Sequence, residues 1–188
     1  MDTQTRQRAT TTPDEMGYAL LGLLRREPLH AYEMYQRLRR GDALGRVWQL
    51  KQSHLYALLA RLEEQGLIAG AIAAQGARPP RRMLALTAEG VAAYTAWVEA
   101  PVRHGRDFRL EFLAKLACAD GEGTEAVAAL ISSQRAICAA WERDLQKRIA
   151  AVPEEQAYDR LVLEFRMGQI AAILAWLARC EQELAGDG

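Results

Sequence analysis

Residues 75–82, Gln75-Gly76-Ala77-Arg78-Pro79-Pro80-Arg81-Arg82, interrupt a chain that otherwise reads as helix on both sides. Two adjacent prolines remove two backbone donors and fix two φ angles, so no continuous helix passes through them. The flanking stretches, Leu67 to Ala73 and Met83 to Leu86, are short and apolar, and two strands joined by a basic tip is the economical reading. Their alanines give that reading little support from propensity.

Ahead of the hairpin the apolar residues recur at helical spacing three times. Thr12 is placed to cap, Pro13 to take the first helical position and Glu15 to reach back. Met16, Ala19, Leu20, Leu23 and Leu24 form the stripe of this first helix, which ends before Pro28. Ala31, Met34, Tyr35 and Leu38 set a short second helix, with a break at Gly41 and Gly45. The third helix, from about Lys51 to Gln65, stops at Gly66, a residue suited to the left-handed conformation that closes helices. Leu55, Leu58, Leu59 and Leu62 lie on one side of it; Ser53, Tyr56, Ala57 and Ala60 lie opposite, with His54 and Arg61 on a flank. Behind the hairpin, Thr87-Ala88-Glu89-Gly90 starts a fourth helix that Pro101 ends.

The rest of the chain is expected to be helical: Arg109 to Ala119, Thr124 to Ala151 and Pro153 to Leu184. The last of these carries two apolar stripes, Leu163, Met167, Ile170, Leu174 and Leu177 on one side and Val162, Phe165, Ile173 and Trp176 on another. A helix apolar on two sides must be covered on two sides. The preceding helix, with Val127, Leu130, Ile137, Trp141, Leu145 and Ile149, meets one of them, so the other asks for a second subunit. Leu163, Met167, Ile170, Leu174 and Leu177 are expected at that dimer interface.

Composition narrows the function. The net charge is zero, but residues 1–100 hold 13 basic and 10 acidic residues (+3) and residues 101–188 hold 11 and 14 (−3). Unbroken apolar runs such as Ile170 to Leu177 fall short of the about 20 residues that cross a bilayer, and the polar start shows no apolar signal region, so a cytoplasmic protein without a membrane partner is expected. Three cysteines, Cys118, Cys138 and Cys180, sit in apolar helical patterns and read as small buried hydrophobes. The three histidines, His30, His54 and His104, show no metal-binding spacing, and no phosphate loop or nucleophile motif occurs. Neither an enzyme nor a metal or other cofactor is expected.

Three helices, a basic two-stranded hairpin and a fourth helix make the winged helix-turn-helix order, in which the third helix enters the major groove. The residues resemble those of the PadR family of transcriptional regulators. The ordered set is Leu20-Leu21-Gly22-Leu23-Leu24, Pro28-Leu29-His30-Ala31-Tyr32-Glu33, Leu55-Tyr56 with Arg61-Leu62-Glu63-Glu64-Gln65-Gly66-Leu67-Ile68, then Arg81-Arg82 and Leu86-Thr87-Ala88-Glu89-Gly90. Phe112-Leu113-Ala114-Lys115-Leu116 and the two long helices look like that family's dimerisation domain. Two departures stand out: Ala31 where the family usually has glycine, and Lys51-Gln52-Ser53 where the third helix often opens with a small cap and proline. The implied fold is mainly α, with a winged helix-turn-helix domain and an α-helical dimerisation domain. The expected divisions are a disordered arm over 1–13, the DNA-binding domain over 14–102 and the dimerisation domain over 103–188.

The resemblance implies a repressor that binds an inverted-repeat operator in double-stranded DNA as a homodimer and leaves it when a small effector binds. Arg78, Arg81 and Arg82 on the wing then meet phosphates or the minor groove; Gln52, Ser53 and His54 meet base edges; Lys51 and Tyr56 meet phosphate, with Arg61 on the same surface. Trp97 and Trp176 are the expected neighbours of a flat apolar effector. The alternatives are a winged-helix protein adaptor and a thiol-switched regulator.

Overall fold

The structure is a computed structural model; it describes residues 15–75 and 78–186, and for 73–75 and 78–80 the backbone alone. The arm over 1–13, the cap at Thr12 to Asp14, the hairpin tip and the Arg78 side chain lie outside the described residues. The chain divides into two compact units, Met1–Tyr94 and Thr95–Gly188.

In the first unit α1 (Glu15–Leu24) is followed by a short strand β1 (Leu29–His30), α2 (Ala31–Arg39), α3 (Ala43–Val47) and α4 (Gln52–Glu64). His30 caps α2, its Nδ1 accepting from the Tyr32 amide at 3.1 Å. Two elements go beyond the sequence reading. The two-residue strand β1 joins the hairpin as a third strand. The stretch expected to be a break at Gly41 and Gly45 contains α3, capped by the Asp42 carboxylate on the Ala43 amide. The hairpin is β2 (Ile68–Gln75) and β3 (Arg78–Leu86), antiparallel with Ile68 opposite Leu86 and Ile72 opposite Arg82, in a sheet ordered β1-β3-β2.

Leu55, Leu58, Leu59 and Leu62 of α4 are buried with Leu20, Leu21 and Leu24 of α1, Met34 and Leu38 of α2, Leu29 of β1, and Ile68 and Leu84 of the hairpin. Each such side chain contributes about 1.5–3 kcal/mol by leaving water. Gly66, at φ +72°, ends α4, with its amide on the Glu63 carbonyl and the Leu67 amide on the Leu62 carbonyl.

α5 (Ala88–Glu99) begins on Thr87, whose hydroxyl donates to the Gly66 carbonyl and accepts from the Gly90 amide. In the second unit a 3-10 turn (Gly105–Arg109) leads to α6 (Glu111–Asp120), α7 (Thr124–Ala150) and α8 (Ala157–Cys180), which closes on a π turn (Glu181–Ala185). Val127, Leu130, Ile131, Cys138 and Leu145 of α7 are buried with Leu163, Ile170 and Leu177 of α8.

Within the protomer, the residues expected at the dimer interface fall in two places. Leu163, Ile170 and Leu177 are closed within the α7–α8 hairpin, and Met167 and Leu174 are half-buried on its margin. The stripe that faces outward holds Tyr158, Leu161 and Phe165, exposed by 78%, 62% and 68%. Trp176, from the other expected stripe, packs edge-on against Phe112 with centroids 5.9 Å apart. The residues from Ala157 to Ala185 form a helix long and apolar enough, by length and composition, to cross a bilayer, and little of it is buried. Counting unbroken apolar runs missed this, because mean hydropathy tolerates isolated charges such as Glu164 and Arg166.

A Cβ on Gly90 would lie 1.9 Å from the Leu67 carbonyl oxygen. Gly→Ala inside a helix ordinarily stabilises by about 1 kcal/mol. Gly90→Ala is expected to act with the opposite sign, costing about 1–3 kcal/mol because a backbone atom must move. Urea unfolding of the two proteins measures it.

Candidate nucleic-acid interface

Because its leucines are turned inward, α4 shows its other side to solvent. Lys51, Gln52, Ser53, His54, Tyr56, Ala57, Ala60 and Arg61 are all exposed. Lys51 is the residue before the first turn and makes no side-chain cap; its carbonyl accepts from the His54 and Leu55 amides, which leaves the amides of Gln52 and Ser53 for an acceptor from outside. A helix N-terminus with a lysine beside it favours an anion. Small residues, Ser53, Ala57 and Ala60, alternate there with Tyr56, which allows close approach of another surface along the whole helix.

The wing arginines fall into separate places. Arg81 and Arg82 are consecutive in β3, so their side chains leave opposite faces of the hairpin. Arg81 is exposed. Arg82 turns back to α4 and forms an ion pair with Glu63, in the last turn of that helix. The Arg82 guanidinium holds the Glu63 carboxyl below the usual carboxylate range, and the Gly70 amide of β2 adds to the effect. Glu63 therefore ties both strands of the wing to the exposed helix. Beside it is a cleft of about 310 Å³ lined by His30, Ala31, Tyr56, Leu59, Ala60, Glu63, Arg82 and Leu84.

Arg82, read from sequence as a DNA contact, thus has a partner inside the protein. Glu63 was not among the expected site residues. The signal that could have found it is an acid in the last turn of the exposed helix with a basic strand following; the register that brings them together depends on the fold.

In the second unit Trp97 is buried, with the Lys115 Nζ 5.2 Å from its ring centroid. Lys115, itself buried, donates to the Ala100 carbonyl at 2.7 Å and pairs with Glu111 at 2.9 Å. Trp97 and Trp176 lie on two sides of α6, one against Lys115 and the other against Phe112. Among the described residues no group of three or more His, Cys, Asp and Glu could hold a metal ion.

Residues 20–96 match the family model of the transcriptional regulator PadR-like family. The chain therefore carries a PadR-like domain over that stretch. Residues 108–185 match a second model, the virulence activator alpha C-terminal domain. The negative transcriptional regulator PadR of Bacillus subtilis (strain 168) is 32% identical over 87 residues, which are 46% of this chain and 45% of that protein. The match therefore spans about half the length of the curated relative. The crystal structure of Bacillus subtilis PadR with operator DNA is similar at 24% identity, covering 88% of this chain and 97% of that one, with a TM-score of 0.45. For the same protein with p-coumaric acid the values are 23%, 92%, 97% and 0.41. Superpositions this loose place no side chain.

The Glu63–Arg82 pair has a pH signature. A carboxylate whose pKa is lowered in the folded state stabilises above its unfolded pKa, and that contribution is lost as pH falls through the lowered native value. Glu63→Gln should speed hydrogen exchange of the β2 amides near Gly70 at neutral pH. The difference from the parent should shrink as the pH is brought below the carboxylate range.

Proposed function

We propose that this PadR-like regulator is a repressor that binds an inverted-repeat operator in duplex DNA as a homodimer, with α4 in the major groove and the wing on the adjacent backbone. The observation that carries it is the outward face of α4: a helix start without a side-chain cap, Lys51 beside it, and hydrogen-bonding side chains in its first turn. Gln52, Ser53 and His54 supply base-edge donors and acceptors, while Lys51, Tyr56 and Arg61 supply phosphate contacts. Arg81 and Arg78 supply the wing's phosphate or minor-groove contacts, and Arg82 holds the wing in place. We read the protein as a non-enzymatic, cytoplasmic regulator, in keeping with its PadR-like domain.

The two-fold partner needed for a palindromic site is proposed to cover the outward stripe of α8. Tyr158, Leu161 and Phe165 recur at spacings of three and four, so they form one patch. Release from DNA is proposed to follow binding of a small apolar or aromatic molecule near Trp97 and Trp176. Burial pushes the thiols of Cys138 and Cys180 up, which disfavours the thiolate that a redox switch requires.

Electrophoretic shift on the chain's own promoter, repeated across salt concentrations, tests the reading. Arg78→Ala with Arg81→Ala should lower affinity at every operator sequence and flatten the salt slope by about 0.9 for each phosphate that is no longer neutralised. Glu63→Gln should lower affinity while leaving the slope close to the parent's. No shift with the parent on any operator candidate would overturn the proposal.

The dimer is tested by light scattering. Phe165→Asp should leave a folded monomer, because the side chain is exposed within the protomer. Ile170→Asp should unfold the chain, because it buries an unpaired carboxylate at a cost of several kcal/mol. A Phe165→Asp protein that stays dimeric refutes the proposed interface.

A further inference from the structure

A second cleft, in the C-terminal unit, is unlike its surroundings. It measures about 470 Å³, within the range of small-molecule sites, and is formed by the segment 103–106 with α7 and α8. Its floor is apolar: Leu145 and Ile170 are buried, and Trp141 and Ile173 are half-buried. Its rim carries four arginines, Arg103, Arg106, Arg148 and Arg166, against one carboxylate, Asp144.

This gathering runs against the composition of the unit. Residues 101–188 hold 11 basic and 14 acidic residues, yet four of those eleven cations surround one opening. Neighbouring acids neutralise only half of it. Arg148 is 3.8 Å from Asp144, and Arg106 is 3.5 Å from Asp107. Among the described residues, no side-chain partner is found for the guanidinium of Arg103 or of Arg166. Like charges crowded over an apolar floor repel, and an anion between them relieves the repulsion while its apolar part covers Trp141 and the isoleucines.

We propose that this cleft binds an organic anion: an apolar body on Trp141, Ile170 and Ile173, and a carboxylate or phosphate held by Arg103 and Arg166. Arginine suits the role because its planar fork meets two oxygens at once. The site is distinct from the aromatic surroundings of Trp97 and Trp176, and binding to it is measured without DNA, so it stands or falls separately from the operator reading.

The probe is 2-naphthoate, titrated calorimetrically into the full chain, with the neutral 2-naphthamide as control. Naphthoate should bind with one site per chain and quench tryptophan fluorescence, and the amide should bind at least tenfold more weakly. Arg103→Gln and Arg166→Gln should each weaken naphthoate at least tenfold; both side chains are exposed, and circular dichroism verifies the fold. Asp144→Asn should tighten binding. Naphthyl phosphate distinguishes the head groups: if it binds more tightly than naphthoate the site takes a phosphate, and if less tightly a carboxylate. Absence of naphthoate binding, or equal binding by the amide and by the double arginine variant, overturns the proposal. So does conversion of Arg166→Gln to a monomer with no anion binding in the parent, since the rim is then a contact between subunits.

Discussion

Burial of the leucine stripe of α4 is the constraint on which the N-terminal unit depends. Leu55, Leu58, Leu59 and Leu62 are buried together with leucines of α1 and α2, Leu29 of β1 and the ends of the hairpin at Ile68 and Leu84. Turning that stripe inward turns Ser53, Tyr56, Ala57 and Ala60 outward by geometry alone, because opposite faces of one helix cannot both be buried in so small a unit. The wing then has an orientation because β2 leaves α4 through Gly66 and Leu67, and because Glu63 holds Arg82. Core packing thus sets the direction of the exposed face, and one ion pair sets the wing against it.

Two buried polar side chains, Gln134 and Lys115, organise the start of the C-terminal unit. Gln134, completely buried, accepts from the Val102 amide at 2.7 Å and donates its own amide to the Val102 carbonyl at 3.2 Å. The side chain thereby satisfies both backbone groups of a residue that lies outside any helix or strand. Lys115 does the corresponding work at the end of α5, meeting the Ala100 carbonyl, the Glu111 carboxylate and the Trp97 ring. An unpaired ammonium in that position would be costly, so the three contacts are what permit a lysine there. Both residues hold the segment after α5 onto α6 and α7.

How much was legible in the sequence varies with the range of the interaction responsible. Helix and hairpin positions came from local signals: Pro28, Gly66, the pair Pro79-Pro80 and the cap at Thr87. The strand β1 was invisible because two residues, Leu29 and His30, have no periodicity to read, and they become a strand only by pairing with Leu84 and Met83. Helix α3 was read as a break because Gly41 and Gly45 outweigh Ala43, Leu44 and Val47 in propensity. Gly45 packs so closely on α2 that a Cβ there would lie 2.0 Å from the Leu38 carbonyl oxygen, a reason for glycine that is tertiary.

By itself the sequence determined the winged helix-turn-helix order, the polarity of α4 and the two apolar sides of α8, since each follows from spacing along one element. Tertiary structure alone decided which side of α8 faces inward, because both stripes are apolar and only the fit against Val127, Leu130, Ile131 and Leu145 distinguishes them. It also decided that Arg82 answers to Glu63 while Arg81 stays exposed. That distinction depends on strand register, which places residues 19 apart in the chain within reach of one hydrogen bond.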